Sequence, residues 1–228
     1  MKRAPQRRFL IAAWAAGVSL AGAQTPPPAP TAESRARVDP AAAQVEAVDG
    51  RPTVRLPATA AGGGSAPLCP VLAAGSPVPE GARIQVPDDG YLQLRLADGS
   101  VVRVLAGSDV ELRRMRMNSR TGRFEARLDV RRGTVESDVV PCGVRRIFEI
   151  RAPGAVASVR GTRFVVSVDA GRHVATQVTE GCVLVRPRHR RGGQATFAPT
   201  TLGPGESLSL ILGGDARSAT LRALPAGR

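Results

Sequence analysis

Few side chains in this sequence are of the types that carry out chemistry. The two histidines, His173 and His189, stand in polar or basic surroundings, with no cysteine or histidine at metal-ligand spacing. The glycine run 62–64 lacks the lysine and hydroxyl residue of a phosphate-binding loop. Asp88 and Asp89, followed by a glycine, are typical of a turn rather than of a pair of catalytic carboxylates. We therefore expect no enzyme activity, no cofactor and no bound metal.

Three cysteines, Cys69, Cys142 and Cys182, allow one disulfide and one leftover thiol, in any of three pairings. None has the Cys-x-x-Cys spacing of a zinc or redox site. Cys182 alternates with apolar residues in a strand-like run, so it is expected to be a small buried residue. A disulfide between Cys69 and Cys142 is the preferred prediction, and the other two pairings stay open.

Arginine supplies nearly all of the positive charge, since Lys2 is the only lysine. A guanidinium group presents a rigid fork that suits carboxylate and phosphate, although a G+C-rich genome is the simpler explanation of the arginine content. The segment 186–191 is the candidate for contacts with an anionic partner. The residues concerned are Arg186, Arg188, Arg190 and Arg191. Nucleic acid is not an expected partner, because one tryptophan, one tyrosine and five phenylalanines offer few platforms on which bases could stack.

The N-terminus has the three parts of a secretory signal peptide. Four basic residues lie among the first eight, residues 9–20 form an apolar run of 12, and residues 21–23 read Ala-Gly-Ala, a small-x-small cleavage site. A membrane-spanning helix needs about 20 apolar residues, and Gln24 stands where a lipoprotein would have cysteine. We expect 1–23 to be removed, leaving a periplasmic or secreted protein that does not span the membrane. The net charge would then fall from +13 to +9.

The rest of the chain predicts a spacer followed by one β domain. Residues 24–40 are rich in proline and alanine, which indicates a disordered spacer. From 41 to 228 most of the sequence alternates apolar and polar residues between turn residues. Within 92–104, Asp98-Gly99 predicts a two-residue hairpin turn. A second hairpin is predicted from strands at 110–117 and 123–130.

Further strands are predicted at 134–139, 147–150, 156–168, 175–178, 182–186 and 207–212. Their even spacing predicts an all-β fold, a single domain of coiled or twin-layered β-sheets that is β-helix-like or sandwich-like. About 190 residues of this kind are enough for one core.

The order of several motifs resembles the FecR domain, found in the periplasmic part of iron-citrate-type signalling regulators and in many exported bacterial proteins. The matching stretches read GARIQV at 81–86, LQLRLADGSVVRVLAGSDVEL at 92–112, LDVRRGTVESDV at 128–139, FEIRAPGAVASVRGTRFVVSV at 148–168, VTEGCVLV at 178–185 and LGPGESLSL at 202–210. The most specific stretch contains the signature residues Pro153, Val159, Arg160, Gly161, Thr162 and Phe164. Ala152 stands where the family often has threonine.

The resemblance implies an all-β periplasmic domain without known catalysis. In the full regulators a cytoplasmic anti-sigma segment precedes a membrane span, and the periplasmic part reports on an outer-membrane transporter. Eight residues precede the apolar run in this sequence, so we expect that cytoplasmic module to be absent. Some exported relatives carry a LysM module that implies attachment to peptidoglycan, and residues 24–80 show no such repeat.

Two functions remain after these exclusions. The leading hypothesis is a non-enzymatic periplasmic module for protein interaction or for sensing and signalling, whose partner is a periplasmic or envelope protein. The alternative is an envelope-associated structural protein that binds an anionic glycan or peptidoglycan through 186–191. Binding that rests on arginine contacts with such anions should weaken steeply as salt is raised.

The signature Arg160-Gly161-Thr162 interrupts an apolar, β-branched run. A glycine inside a strand pattern usually marks a bulge or a tight bend, so the interpretation is structural. Arg160 is expected to pair with a carboxylate or carbonyl groups and so to lock the bend. We therefore expect Gly161→Val to destabilise the fold, and Arg160→Ala to cost more stability than binding.

Overall fold

Alternation of buried and outward-facing side chains builds the strands of this protein, as predicted. Leu92, Leu94, Val102 and Val104 are fully buried, whereas Gln93 and Arg103, which alternate with them along the two strands, are not. The computed structural model describes residues 38–57, 68–69, 72–141, 146–170, 173–188, 197–213 and 216–223. These residues contain strands, turns and no helix. No helix in the described part is therefore long and apolar enough to cross a membrane.

The described ranges contain eighteen strands. They are β1 Val38–Pro40, β2 Ala43–Asp49, β3 Thr53–Arg55, β4 Leu68–Cys69, β5 Pro77–Val78, β6 Arg83–Gln85, β7 Tyr91–Arg95, β8 Val101–Val104, β9 Asp109–Asn118, β10 Phe124–Asp138, β11 Ile147–Ala152, β12 Ala155–Val159, β13 Arg163–Val168, β14 His173–Glu180, β15 Val183–Pro187, β16 Thr200–Leu202, β17 Glu206–Gly213 and β18 Ala216–Ala223. All of them lie in one compact unit, residues 36–228. β1 occupies the last three residues of the predicted spacer, whose residues 24–37 lie outside the described ranges, as does the predicted signal peptide.

The strands form two sheets that share β10. The first sheet has the order β4-β3-β6-β9-β10-β11-β12-β15-β16. β6 pairs with the beginning of β9, and β1 pairs with the end of β9. The second sheet has the order β5-β2-β7-β8-β10-β13-β14-β17-β18. Neighbouring strands are antiparallel except for β10 and β11, which are parallel. The prediction of an all-β single domain is confirmed.

β10 passes from one sheet to the other, which corrects the prediction of two separate strands at 123–130 and 134–139. Its first half pairs with β9 and β11, and its second half pairs with β8 and β13. The change occurs at Gly133, which has a φ of 89°. A Cβ at this position would lie 2.1 Å from the Oγ of Ser108. That hydroxyl oxygen accepts a hydrogen bond from the N–H of Thr134 at 2.9 Å, so the polar backbone is satisfied at the crossing.

The single strand predicted at 156–168 is divided into β12 and β13, because the chain changes sheet between them. β12 belongs to the first sheet, between β11 and β15, whereas β13 belongs to the second, between β10 and β14. The three residues at the corner are Arg160, Gly161 and Thr162. The bend that was inferred from Gly161 is therefore a full transfer of the backbone from one layer to the other.

The predicted hairpin at Asp98-Gly99 is present, but its loop has three residues rather than two. Leu96 and Ser100 close the loop, since the N–H of Leu96 donates to the carbonyl of Ser100 at 2.8 Å. The N–H of Gly99 donates back to the carbonyl of Leu96 at 3.0 Å, and Gly99 has a φ of 85°. This is the usual three-residue hairpin, in which a turn is followed by one left-handed residue.

The core lies between the two sheets and is filled from both of them. Phe148 of β11 and Phe164 of β13 meet edge to face, with ring centroids 6.4 Å apart and an angle of 85° between the planes. This geometry is favourable for aromatic pairs and adds to the apolar area that the two rings bury. Phe164 thus anchors the chain in the second sheet directly after the corner.

We predict that Gly161→Ala destabilises the protein more than Gly75→Ala does. Both glycines are left-handed, with φ of 93° and 86°, so alanine should cost about 1–2 kcal/mol at either site. At Gly161 a Cβ would also lie 2.6 Å from the Cα of Pro141, whereas nothing lies within 4 Å at Gly75. Urea denaturation should therefore show a loss about twice as large at Gly161. Equal losses would mean that the close approach to Pro141 does not constrain the fold.

Candidate functional site

The signature bend is held by hydrogen bonds from a buried threonine. The N–H of Thr162 donates to the carbonyl of Val139 at 3.1 Å, and the N–H of Val139 donates to the carbonyl of Thr162 at 3.0 Å. The hydroxyl of Thr162 donates to the carbonyl of Cys182 at 3.0 Å. Thr162 therefore joins the end of β10 to the turn that precedes β15.

Glycine is required at this bend because three segments of backbone meet there. Gly161 lies against Pro141, since a Cβ at Gly161 would be 2.6 Å from the Cα of Pro141. On the other side, a Cβ at Gly181 would lie 2.6 Å from the carbonyl oxygen of Gly161. Only residues without a side chain fit at both places.

The remaining signature residues, apart from Arg160, also serve the fold. Val159 and Phe164 are buried on either side of the bend. Pro153 forms the turn between β11 and β12 with Gly154, whose φ is 80°. The carbonyl of Gly154 accepts a hydrogen bond from the N–H of Arg188 at 2.8 Å, which ties this turn to the end of β15.

Arg160 behaves differently from its neighbours. Its side chain is exposed, and it makes no hydrogen bond or ion pair with any residue in the described ranges. The expected contact that would lock the bend is therefore not found among these residues. No contact with a described residue therefore accounts for a loss of stability in Arg160→Ala.

The cysteines require one correction. Cys182 is exposed and is a free thiol, so the expectation of a buried residue was wrong. It lies in the turn before β15 rather than in the strand, where alternation does not apply. The backbone of Cys69 pairs with Val54, but Cys142 lies outside the described ranges, so the Cys69–Cys142 disulfide stays a prediction.

Arginine side chains collect on the outward face of the first sheet. A groove of about 590 Å³ lies there, which we call the arginine groove. It is lined by Arg127, Glu149, Arg151, Val156, Arg186, Pro187, Arg188 and Pro199. Two of the predicted anion contacts, Arg186 and Arg188, thus belong to it, whereas Arg190 and Arg191 lie outside the described ranges.

Strand register explains why the groove forms. Val156 of β12 stands directly between Arg151 of β11 and Arg186 of β15. Neighbouring strands are about 4.8 Å apart, so two long side chains flank one short side chain across a gap of about 10 Å. The floor of the groove is therefore apolar and its walls are cationic.

Glu149 is the carboxylate around which three arginines of the groove gather. Its Oε1 lies 3.1 Å from the Nη2 of Arg186, and its Oε2 lies 3.3 Å from the Nε of Arg127 and 3.6 Å from the Nη2 of Arg151. The Nη2 of Arg186 also donates to the hydroxyl of Ser158 at 3.1 Å. One carboxylate is thus shared by three guanidinium groups.

No catalytic or metal-binding constellation accompanies this groove in the described ranges. They hold no group of three or more His, Cys, Asp or Glu side chains that could bind a metal ion. His173 lies 3.8 Å from a carboxylate oxygen of Asp169 at the surface, and His189 lies outside the described ranges. Asp138 is paired with Arg163 at 3.0 Å rather than with a second carboxylate.

A family model described as FecR protein matches residues 82–184. Over these residues the chain is similar to the FecR protein family. The FecR match contains the whole signature bend, together with Arg127, Glu149 and Arg151, and it ends just before Arg186 and Arg188. The arginine groove is thus built partly from the FecR region and partly from the strand end that follows it.

Two crystal structures of a candidate anti-sigma factor from Parabacteroides distasonis ATCC 8503 are also similar to this chain. They are 19% and 20% identical to it, and each has a TM-score of 0.48. Each alignment covers 62% of this chain and 59% of the other, so this chain spans less than two thirds of their length. This similarity is too low for function to be transferred. No curated protein matches the chain.

Two ion pairs stabilise the edge of the FecR region that borders β1 and β6. Burial would raise the pKa of Glu80, but hydrogen bonds from Arg116 and from the N–H of Met115 outweigh it and hold this pKa below its ordinary value of 4.5. Burial likewise opposes the ionised form of Asp109, and Arg83 outweighs it, so the pKa of Asp109 lies below 3.8. Glu80 also supplies the acceptor for a backbone N–H of β9 that neither neighbouring strand reaches.

We predict that acid weakens the FecR region through these carboxyl groups. A group whose pKa is lower in the folded state contributes stability that is complete above the unfolded pKa and disappears as the pH falls through the folded pKa. The urea concentration at the midpoint of unfolding should therefore decrease as the pH is lowered below about 4. Glu80→Gln should lower the midpoint at neutral pH and flatten its acid dependence.

The control is Glu136→Gln, which removes an exposed carboxylate 3.7 Å from Arg103 on the second sheet. An exposed pair of this kind contributes little, so this variant should keep the acid dependence of the unaltered protein. If Glu80→Gln keeps the acid dependence of the unaltered protein, the ionised carboxylate of Glu80 does not stabilise this region.

Proposed function

We propose that this protein is an exported FecR-domain module that binds another protein of the periplasm or envelope and acts in signalling or regulation, not in catalysis. The observation that carries the proposal is the match of residues 82–184 to the FecR protein family. The signal-peptide pattern of residues 1–23 supports export.

Some signature residues hold the fold and one is exposed, which agrees with a binding role. The bend uses Gly161 and Thr162 to hold the two sheets together, and it leaves Arg160 exposed. Outward side chains of a twin-layered fold are not needed by the core, so they are free to contact a partner. Among the described outward features, the arginine groove has the clearest chemistry.

A second candidate is an envelope-associated structural protein that binds an anionic glycan or peptidoglycan. The arginine groove and the net charge of +13 favour it. The lining of the groove holds no aromatic residue on which a sugar ring could stack, which favours the protein-binding proposal.

Export can be tested by sequencing the N-terminus of the protein recovered from the periplasmic or secreted fraction of its host. We expect the chain to begin at Gln24. Recovery of the chain with Lys2 and the apolar run intact, in the membrane fraction, would contradict export by cleavage.

The partner can be tested by affinity capture from envelope extracts of the host with the purified protein as bait, at physiological salt. We expect a protein partner, whose capture is abolished by prior protease treatment of the extract and is unaffected by a muramidase. The Gly161→Ala variant, whose bend is strained, serves as the control bait.

Capture of muramidase-sensitive material instead would support the glycan-binding alternative. An extract that yields no partner for the folded protein would count against both candidates.

A further inference from the structure

We propose that the arginine groove binds a carboxylate from an acidic segment of the partner protein. The proposal rests on the proposed function and names the chemistry by which the partner is recognised. It follows from three observations: a surplus of guanidinium groups, buried donors that make no hydrogen bond with the described residues, and an internal carboxylate that already shows the mode of binding.

The charges of the groove are unbalanced. Four arginines line it, and Glu149 is the one acidic residue in its lining. Arg188 reaches no closer than 3.9 Å to Asp129, which lies at the margin and is also contacted by Arg113 at 3.5 Å. A guanidinium group carries about five N–H donors, so the carboxylates of this face leave most of these donors unused.

Two of the donors are shielded from solvent. The Nε of Arg151 is buried and makes no hydrogen bond with any described residue. The Nε of Arg127 is also buried, and its contact of 3.3 Å with Glu149 is an ion pair without the geometry of a hydrogen bond. Buried polar groups are nearly always satisfied in proteins, and each exception requires an explanation. At the margin, Glu125 is paired with Arg127 at 2.9 Å, whereas the Oδ1 of Asp129 is buried and makes no hydrogen bond with any described residue. An incoming carboxylate would supply acceptors on the side where guanidinium groups prevail.

Glu149 shows what such a ligand would do. Its carboxylate is only 14% exposed and draws in Arg127, Arg151 and Arg186. Guanidinium and carboxylate groups match in shape and charge and form the stronger class of hydrogen bond. Glu149 therefore occupies part of the same set of donors that a partner carboxylate would use, and it competes with that partner.

The shape of the groove fits an acidic side chain of a protein better than a sugar. Its volume of about 590 Å³ lies within the usual range of ligand sites. Val156, Pro187 and Pro199 offer apolar contact for the methylene groups of a Glu or Asp side chain. The absence of aromatic residues from the lining removes the usual platform for a sugar ring.

The test is fluorescence anisotropy with a labelled short peptide rich in Glu and Asp, and with the matching peptide in which every Glu and Asp is Gln or Asn. The full protein should bind the acidic peptide and should bind the amide peptide at least about tenfold more weakly. Arg186→Gln should weaken binding of the acidic peptide by about tenfold.

The matched control is Arg103→Gln, which removes the same charge from the second sheet. Its side chain is 48% exposed, against 46% for Arg186. We expect a change of less than about twofold in this control. Equal weakening by the two variants would show attraction to total charge only, and would overturn the proposal.

A second variant acts in the opposite direction. Glu149→Gln removes the internal competitor and should tighten binding of the acidic peptide by about threefold or more. The control is Glu136→Gln, which removes the same negative charge from the second sheet and should tighten binding of the acidic peptide less. If Glu149→Gln binds no better than Glu136→Gln, the arginines of the groove serve only the sheet. Melting curves establish that each variant is folded, and Arg188→Gln replaces Arg186→Gln if the latter is not.

Competition distinguishes the sources of the anion. Inorganic phosphate or lipopolysaccharide that displaces the peptide at lower concentrations than free glutamate would assign the groove to phosphate and overturn the proposal. Capture of the same partner protein by Arg186→Gln and by the unaltered protein would also overturn it, while leaving the proposed function intact. Failure of the unaltered protein to capture any partner would count against the proposed function itself.

Discussion

The transfer of the backbone between two sheets without unsatisfied hydrogen bonds is the constraint on which the rest of this structure depends. At the signature bend, Thr162 exchanges two backbone hydrogen bonds with Val139 and adds a third through its hydroxyl. A Cβ at Gly161 would lie 2.6 Å from the Cα of Pro141, which is too close for any side chain. The bend therefore works as a joint: its polar groups are paired, and its lack of a side chain lets the two layers approach. The aromatic contact between Phe148 and Phe164 then fixes the layers at a packed distance.

On the outward face of the first sheet the order comes from ion pairs rather than from backbone hydrogen bonds, because shared carboxylates hold its arginines. A surface ion pair contributes little on its own, but Glu149 meets three guanidinium groups at once, and its side chain is mostly buried. Such a network keeps long side chains ordered on the sheet.

Alternation in the sequence predicts the strands well, because a side chain's orientation in a strand depends on its immediate neighbours. Leu92, Leu94, Phe124 and Leu128 are all buried as predicted. What alternation does not reveal is the sheet to which a strand belongs. β10 was predicted as two strands because Gly133 resembles a break, and β12 and β13 were predicted as one because the apolar run continues through the bend. Both errors occur where a glycine changes the sheet, and the outcome depends on contacts with residues distant in sequence, such as Ser108 and Pro141.

The site was predictable only in part, for the same reason. Arg186 and Arg188 were recognised because they stand in a local cluster. Arg127, Glu149 and Arg151 gave no comparable signal, since they lie on strands that are separated in sequence and meet only through the pairing of β10, β11, β12 and β15. Cys182 was misjudged because the alternation was extended one residue too far, into a turn. Local patterns report which face a residue takes, whereas strand register decides which residues share that face.

The two parts of the molecule place different demands on substitution, and this separates fold from recognition. At Gly161 the requirement is geometric, because any side chain there must move Pro141. At Arg186 or Arg188 the requirement is chemical, because the strand accepts any side chain that points away from the core. The FecR region supplies Arg127, Glu149 and Arg151, while the strand end beyond it supplies Arg186 and Arg188. The arginines at the end of β15 can therefore be substituted without disturbing the bend that holds the two sheets together.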